Sequence, residues 1–291
     1  LRPFIRAALR EDRAAQDVTS RAVLSPSARI RARIVSRAPG VLAGVKLAAL
    51  VFTTLDPSLR CRLHRRSGAP LAPGEPILTV EGRARSIFAA ERTALNLLGH
   101  LSGIATLTRA YVRRVRGTRA LILDTRKTLP GLRALQKDAV RAGGGRSHRA
   151  SLAEAVLIKT NHLRAMRHGA FGIRNSEFGI PIQEAVAKAK RLRPKKFVEV
   201  EVTNLRELSA ALQAKPDAIL LDNWPLKDIR KAVRLHHSAF RIPHSAFPLL
   251  EVSGGVTPAN GRAYARTGVD RISVGRLTHS APSLDVSLEV L

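Results

Sequence analysis

Cysteine, aromatic residues and acidic residues are all scarce in this sequence. Among its 291 residues there is a single cysteine, Cys61, and aromatic residues account for 4%. One cysteine cannot form an internal disulfide framework, and this usage is typical of a reducing compartment.

Long hydrophobic runs are also lacking, because the most apolar stretch, residues 41–52, is interrupted by Lys46 and is too short to span a bilayer. The start shows no secretory signal and no initiator Met, which suggests a processed or trimmed terminus, and we expect a cytoplasmic protein.

The shortage of acidic residues leaves a large positive charge. The chain has 50 basic and 22 acidic residues, which gives a formal net charge of +28. Such an excess is found in nucleic-acid-binding proteins. Here the basic residues are spread along the chain without a Lys/Arg tail, and few aromatic rings are available to stack on bases. We therefore expect anionic small molecules, rather than nucleic acid or a membrane, as partners. Hydrophobic residues make up 45% of the chain, which allows a real core.

The first third of the chain has the pattern of an α+β domain. Residues 28–34 alternate apolar and Arg side chains with a period of two, which predicts a half-buried strand. Residues 41–53 predict a mostly apolar helix. Further on, Ser86 is a candidate N-cap for a helix that runs to Gly99, and a second helix is expected at residues 104–115. The domain boundary is predicted close to the start of this second helix.

After residue 120 the pattern changes to alternating strands and helices. Each predicted strand is a short run of Val, Ile and Leu, as in strands that are buried on both faces. The predicted strands end at Asp124, Lys159, Glu201, Asp222, Glu251 and Gly275. Thr203 or Asn204 can cap one intervening helix, and Thr257 can cap another. Repeated βα units form a parallel sheet, either a barrel or an open doubly wound sheet. Polar residues at nearly every strand end favour the barrel, because the carboxyl ends of barrel strands face one pocket.

Positively charged residues collect at these strand ends and in the loop between the first two. They are Arg126, Lys127, His148, Arg149 and Lys159. Such a cluster suits a multiply anionic ligand, because Arg offers a planar two-pronged donor and Lys a compact charge. The two lysines can neutralise a pyrophosphate, although surface lysines are common. The histidine can donate a hydrogen bond or carry a proton, although a lone histidine is often structural.

Two carboxylates and two glycine-containing loops complete the candidate site. Glu201 and Asp222 end consecutive predicted strands, and paired carboxylates there suit Mg²⁺. The alternative is that each forms an ion pair with a nearby Arg or Lys. The runs Ser253-Gly254-Gly255 and Gly275 offer bare backbone N–H groups to a phosphate, although a glycine run taken singly is often only a turn.

Eight stretches of the sequence carry a family resemblance. They are AAERTALNLLGHLSGIAT, ILDTRKTLPGLRALQK, AVRAGGGRSHR, VLIKTNH, VEVEV, AILLDNW, LEVSGGVT and GVDRISVGRLTHSAPSLDVSLE. In these stretches the chain resembles the decarboxylating quinolinate phosphoribosyltransferases. The resemblance implies an amino-terminal α+β sandwich domain at residues 1–104, on which residues 277–291 pack. It also implies an incomplete, seven-stranded β/α barrel at residues 105–276, and a homodimer or higher even oligomer with a shared active site.

The resemblance also implies an activity and a role for individual residues. The family converts quinolinate and phosphoribosyl pyrophosphate to nicotinate mononucleotide, pyrophosphate and CO₂ in NAD biosynthesis, with Mg²⁺. The positions that match the family's quinolinate clamp are Arg92 (which reaches in from the partner subunit), Arg126, His148 and Arg149. Those that match its phosphoribosyl pyrophosphate site are Lys127, Lys159, Glu201, Asp222, Ser253, Gly254, Gly255 and Gly275. His279 matches a position near the same pocket.

The sequence also departs from the family pattern. Thr160 stands where the family usually has Asp, and unusual residues are also found at Asp138, Ser147 and Arg276. Two long connections, residues 164–182 and 237–247, have no close family counterpart. Three alternatives therefore stay open: an enzyme of the same fold with another acceptor, a folded relative with impaired catalysis, and a basic nucleic-acid-binding protein.

Overall fold

The computed structural model describes residues 1–169, 181–239 and 248–291. Most of the two unusual connections predicted from the sequence therefore lies outside the described residues. Within the described ranges, none of the helices combines the length and the apolar character that crossing a membrane requires.

The chain divides into two compact units. The first consists of Leu1–Arg109, Thr128–Gly145 and Arg276–Leu291, and the second of Ala110–Lys127 and Arg146–Gly275. The predicted domain limits at residues 104 and 276 stay a prediction, because compact units need not coincide with independently folding domains.

Helices and strands alternate along most of the described chain. The helices are α1 Arg2–Glu11, α2 Val18–Val23, α3 Val45–Leu55, α4 Ala84–Val115, α5 Arg133–Ala142, α6 Thr160–Gly169, α7 Ile182–Leu192, α8 Leu205–Ala214, α9 Leu226–Ser238, α10 Gly261–Ala265 and α11 Arg276–His279. The strands are β1 Arg29–Ser36, β2 Gly40–Val41, β3 Arg60–Leu63, β4 Pro70–Leu71, β5 Pro76–Arg83, β6 Leu121–Leu123, β7 Val156–Ile158, β8 Val198–Val202, β9 Ala218–Asp222, β10 Leu249–Ser253, β11 Arg271–Ser273 and β12 Val286–Val290.

The first unit contains an antiparallel sheet of four strands in the order β12-β1-β5-β3. The strand predicted at residues 28–34 is confirmed as β1, in which Ala32 and Ile34 are fully buried. The last strand pairs beside it, with Ile34 opposite Leu288. An ion pair of 3.1 Å between Arg33 and Glu289 also joins these two strands.

One helix prediction in this region is wrong, and another helix has limits that differ from the prediction. A single helix, α4, replaces the two helices predicted around Gly99 and Gly103, so Ser86 lies inside the helix and does not cap it. Neither glycine has a positive φ. Both are required by packing, because a Cβ on Gly103 would lie 1.9 Å from the carbonyl oxygen of Pro282. The helix predicted at 41–53 begins only at Val45, after the left-handed Gly44.

The second unit contains a parallel sheet of six strands in the order β6-β11-β10-β9-β8-β7. This confirms the predicted α/β fold with an incomplete barrel. In place of the implied seventh strand, the described residues contain a single parallel bridge between Leu123 and Arg146. Ala218, Ile219 and Leu221 of β9 are all fully buried, as the continuous apolar pattern of this strand predicted.

The two predicted helix caps have different outcomes. Asn204 caps α8 as predicted, since its side-chain oxygen accepts a hydrogen bond of 2.9 Å from the backbone N–H of Glu207. The Thr257 hydroxyl accepts a hydrogen bond of 3.3 Å from the backbone N–H of Asn260, as a cap at this position predicts. The residues that it caps form a turn, however, and α10 begins only at Gly261 and not at Pro258.

Candidate active site

The carboxyl ends of the parallel strands surround a cavity of about 340 Å³ in the second unit. Its lining consists of Thr125, Arg126, Lys127, His148, Arg149, Leu157, Lys159, Glu201, Leu220, Asp222, Asn223, Glu251, Ser253 and Ser273. The parallel register explains this convergence, because each strand delivers the residues at its carboxyl end to the same edge of the sheet.

The predicted site residues fall into three groups. Eight of them line the cavity: Arg126, Lys127, His148, Arg149, Lys159, Glu201, Asp222 and Ser253. Gly254, Gly255 and Gly275 belong to the loops that follow β10 and β11 in the same unit. Arg92, on α4, and His279, at the end of α11, belong to the first unit, and their predicted roles stay predictions.

Glu201 and Asp222 are the two carboxylates at the ends of β8 and β9. Oε1 of Glu201 accepts hydrogen bonds from the Thr160 hydroxyl at 2.8 Å and from its backbone N–H at 3.2 Å. Burial raises the pKa of Asp222, and the charge of Glu201 raises it further, while Lys159 and Lys127 lower it. Two carboxylates that repel each other in this way, beside lysines, fit a hard divalent cation with phosphate ligands. These residues could therefore hold the predicted Mg²⁺.

The loop after β10 has a backbone shaped for an anion. Gly254 and Gly255 have φ values of +93° and +64°, which L side chains rarely adopt. A Cβ on Gly254 would lie 2.0 Å from Oδ1 of Asn223, whereas Gly255 has open space beside it. Consecutive glycines in such a conformation expose backbone N–H groups to a bound anion.

Asn223 supports this loop and was missed by the sequence analysis. Its φ is +59°, its backbone N–H donates to the Ser253 carbonyl at 2.8 Å, and its side-chain amide donates to Asp222 at 2.9 Å. Asn is among the few non-glycine residues that adopt this backbone conformation readily, so its position directly after a predicted strand was the available signal.

His148 is held by protein groups through both ring nitrogens. Its Nδ1 accepts a hydrogen bond of 2.8 Å from the backbone N–H of Arg149, and its Nε2 lies 2.9 Å from Oε2 of Glu199. Because Nδ1 acts as an acceptor, Nε2 carries the proton and donates it to Glu199. The backbone N–H of His148 also donates to Asp124 at 2.8 Å. These contacts favour the structural interpretation of His148 over a direct hydrogen bond to the substrate.

Two buried glutamates, Glu199 and Glu251, lie below His148 and were not predicted as site residues. Their exposed fractions are 1% and 0%, and Oε1 of Glu251 lies 3.6 Å from Nε2 of His148. Burial and the charge of Glu199 raise the pKa of Glu251 to about 7, against the lowering effects of His148, Ser273 and Arg271. In the sequence Glu199 lies within a predicted strand, whereas Glu251 was predicted to end its strand, which in the structure continues to Ser253.

The same three side chains, those of His148, Glu199 and Glu251, could be considered as metal ligands. One candidate ligand atom from each lies within 4.8 Å of the others. A histidine that binds a metal must offer a nitrogen without a proton, however, and here Nε2 carries the proton that Glu199 accepts. The arrangement is therefore better described as a hydrogen-bonded acidic cluster.

Arg126 and Arg149 form the cationic side of the cavity. Burial lowers the pKa of Arg149, the charge of Arg126 lowers it further, and Glu199 opposes both effects. The Arg149 side chain is oriented by a hydrogen bond of 3.0 Å to the Ala155 carbonyl. Two guanidinium groups within electrostatic reach of each other are stabilised by an anion between them, and each can bind a carboxylate through two parallel hydrogen bonds.

Comparisons with known proteins agree with this geometry. Residues 17–102 match the family described as quinolinate phosphoribosyl transferase, N-terminal domain, and residues 104–289 match the corresponding C-terminal domain. Among curated relatives, the nicotinate-nucleotide pyrophosphorylase (carboxylating) of Mycobacterium leprae is 44% identical over 292 residues, covering 99% of this chain and 96% of the relative.

Solved structures of proteins with the same name are similar over nearly the whole chain. The nicotinate-nucleotide pyrophosphorylase from Francisella tularensis is 38% identical, with a TM-score of 0.87, and the match covers 99% of this chain and 95% of that one. The corresponding structure from Ehrlichia chaffeensis is 32% identical, with a TM-score of 0.86 and coverage of 99% and 98%.

Proposed function

The chain belongs to the quinolinate phosphoribosyl transferase family, and from this premise we propose that it converts quinolinate and phosphoribosyl pyrophosphate to nicotinate mononucleotide, pyrophosphate and CO₂. The observation that carries the proposal is one cavity in which a pair of arginines, Arg126 and Arg149, lies beside two lysines and two carboxylates. This combination matches a dicarboxylate next to a sugar pyrophosphate. The reaction is a step of NAD biosynthesis.

The arginine pair holds the two carboxylates of quinolinate. Arg149 is preorganised by its bond to the Ala155 carbonyl, so little side-chain freedom is lost when the ligand binds. Fixing both carboxylates also fixes the direction of the ring nitrogen, which must attack the anomeric carbon of the ribose. Positioning of this kind can supply roughly 7–11 kcal/mol of the barrier reduction when the alignment is good.

Lys127 and Lys159 stabilise the negative charge that grows on the departing pyrophosphate. Glu201 and Asp222 would hold Mg²⁺, which would supply positive charge for the departing pyrophosphate. Thr160 fixes the orientation of Glu201, in place of the Asp that is usual in the family. The exposed backbone N–H groups of residues 253–255 bind the ribose phosphate.

The active form is a homodimer, or a higher even oligomer, in which Arg92 contributes to the quinolinate site of the neighbouring subunit. The support is the family membership and the position of Arg92 on the exposed side of α4, which leaves its guanidinium available to an anion. The single cysteine supports a cytoplasmic location, because such scarcity is typical of a reducing compartment. Sedimentation at micromolar concentration tests the oligomer, and a species that remains monomeric with both substrates present would contradict it.

The direct test is release of pyrophosphate that depends on quinolinate, with purified protein, Mg²⁺ and phosphoribosyl pyrophosphate. Replacing quinolinate by other pyridine carboxylates separates this activity from a same-fold enzyme with another acceptor. The Lys159→Ala variant should lose roughly a hundredfold or more in turnover, because it removes a group that acts on developing charge. Lys188→Ala, which alters an exposed lysine paired with Glu184 on α7, is the matched control and should keep full turnover. Unchanged turnover of Lys159→Ala would remove this lysine from the mechanism.

A further inference from the structure

The proposed reaction needs a proton that none of the assigned residues supplies. When CO₂ leaves the ring, the electron pair of the broken bond stays on the ring carbon next to the nitrogen. That carbon must take up a proton to give nicotinate mononucleotide. The present inference rests on the proposed function and asks which side chain of the cavity delivers this proton.

The groups that could carry a transferable proton in the cavity are few. The ammonium groups of Lys127 and Lys159 lower the pKa of Asp222, and the proposed function assigns both to the departing pyrophosphate. His148 already donates its one ring N–H to Glu199. Of the carboxyl groups that line the cavity, those of Glu201 and Asp222 are assigned to Mg²⁺, which leaves that of Glu251 as the remaining acid among the described residues.

Glu251 lies on the floor of the cavity. In the strand register it stands opposite Leu220 on β9 and Arg271 on β11, two residues before Ser253 at the end of its own strand. Both of its carboxyl oxygens are buried, and in the described part of the chain neither takes part in a well-formed hydrogen bond with another residue. A buried carboxyl without such a bond is costly when ionised, so it retains a proton unless a ligand or cation compensates it.

The surrounding charges also favour the protonated state of Glu251. A carboxylate oxygen of Glu199 lies within 4.8 Å of one of Glu251, and its charge opposes ionisation of Glu251. His148, Arg271 and the Ser273 hydroxyl act in the opposite direction and do not overcome the burial. When the doubly negative quinolinate binds in the cavity, its charge also opposes ionisation of Glu251.

We propose that the Glu251 carboxyl group is the acid that protonates the ring carbon when CO₂ departs. The bond between the ring carbon and the carboxylate carbon breaks, and CO₂ leaves without the electron pair. The ring carbon, next to the cationic nitrogen, uses that pair to take the proton from Glu251, which becomes a carboxylate. After the product leaves, Glu251 regains a proton from water, so the enzyme returns to its starting state.

A single-turnover experiment separates this step from transfer of the phosphoribosyl group. Pyrophosphate release reports formation of the bond to the ring nitrogen, and ¹⁴CO₂ release from carboxyl-labelled quinolinate reports the later step. We expect the Glu251→Gln variant to release pyrophosphate within about tenfold of the unmodified protein and CO₂ roughly a hundredfold more slowly, the usual range for loss of a general acid. Gln has the same shape and no transferable proton, and circular dichroism verifies that the variant is folded.

The Glu251→Asp variant is the matched control, because it keeps the acid on a shorter side chain. It should recover part of the CO₂ release that Glu251→Gln loses. Normal CO₂ release by Glu251→Gln would overturn the proposal, and so would an equal loss of pyrophosphate and CO₂, which would assign Glu251 to substrate binding. If the unmodified protein releases no pyrophosphate with quinolinate, the proposed function itself fails and this inference falls with it.

Discussion

The buried carboxyl of Glu251 should lower the folding stability of the protein at neutral and alkaline pH. An ordinary glutamate has a pKa of 4.5, and burial raises that of Glu251 to about 7. Between these values the folded protein binds a proton that the unfolded chain does not, so stability falls as the pH rises through this window. Since a difference of one in pKa corresponds to about 1.4 kcal/mol, the full loss is about 3 kcal/mol above the upper value.

The Glu251→Gln substitution removes this cost, because Gln cannot ionise. Urea unfolding should show nearly equal stabilities for the variant and the unmodified protein at about pH 5, and a variant more stable by about 3 kcal/mol at about pH 8. Glu184→Gln is the control. Glu184 is exposed on α7 and paired with Lys188, so its substitution should change stability by less than about 1 kcal/mol at either pH. An effect of Glu251→Gln on stability that is equal at both pH values would show that the carboxyl does not retain its proton on folding.

Three further substitutions test other features of the site and the fold. Thr160→Val removes the hydroxyl donor to Glu201 and should weaken Mg²⁺-dependent binding of phosphoribosyl pyrophosphate by roughly tenfold in a titration, whereas Thr160→Ser should not. Gly254→Ala forces a Cβ against a neighbouring side-chain oxygen at a positive φ, and should raise the KM for phosphoribosyl pyrophosphate while circular dichroism stays unchanged. Gly103→Ala should lower the free energy of unfolding by about 1–3 kcal/mol, because its Cβ meets a backbone oxygen. Gly261→Ala, whose nearest contact would be 3.9 Å, is the control for that measurement.

Much of the sheet in the second unit could be predicted from sequence, because strands buried on both faces need continuous apolar runs. Ala218, Ile219 and Leu221, which alternate between the two faces of β9 and are all buried, illustrate this directly. The long helix α4 could not be predicted as one element, because a glycine in a sequence indicates either a break or a close contact. Only the structure shows that Gly103 lies in close contact with Pro282, which is distant in the sequence, so that this glycine marks a close contact and not a break.

The site divides in a similar way. Cations and carboxylates at strand ends could be predicted, because parallel strands bring their carboxyl ends to one edge. The contact between His148 and Glu199 could not, since it depends on a register between distant segments that the sequence does not contain. The role of Asn223 also depends on a backbone angle, and the residue type alone only permits that angle.

The antiparallel sheet of the first unit has a consequence for how the protein is made. Its strand β1 pairs with β12, and the linked residues Arg33 and Glu289 are 256 positions apart. At a synthesis rate of about 5–20 residues per second, one edge of β1 waits roughly ten to fifty seconds on the ribosome before its neighbour emerges. An uncovered strand edge is a template for association with other chains. During this interval, nascent chains therefore need chaperones or rapid synthesis to avoid association through this edge. Prematurely terminated chains, which lack β12, would be substrates for proteolytic quality control.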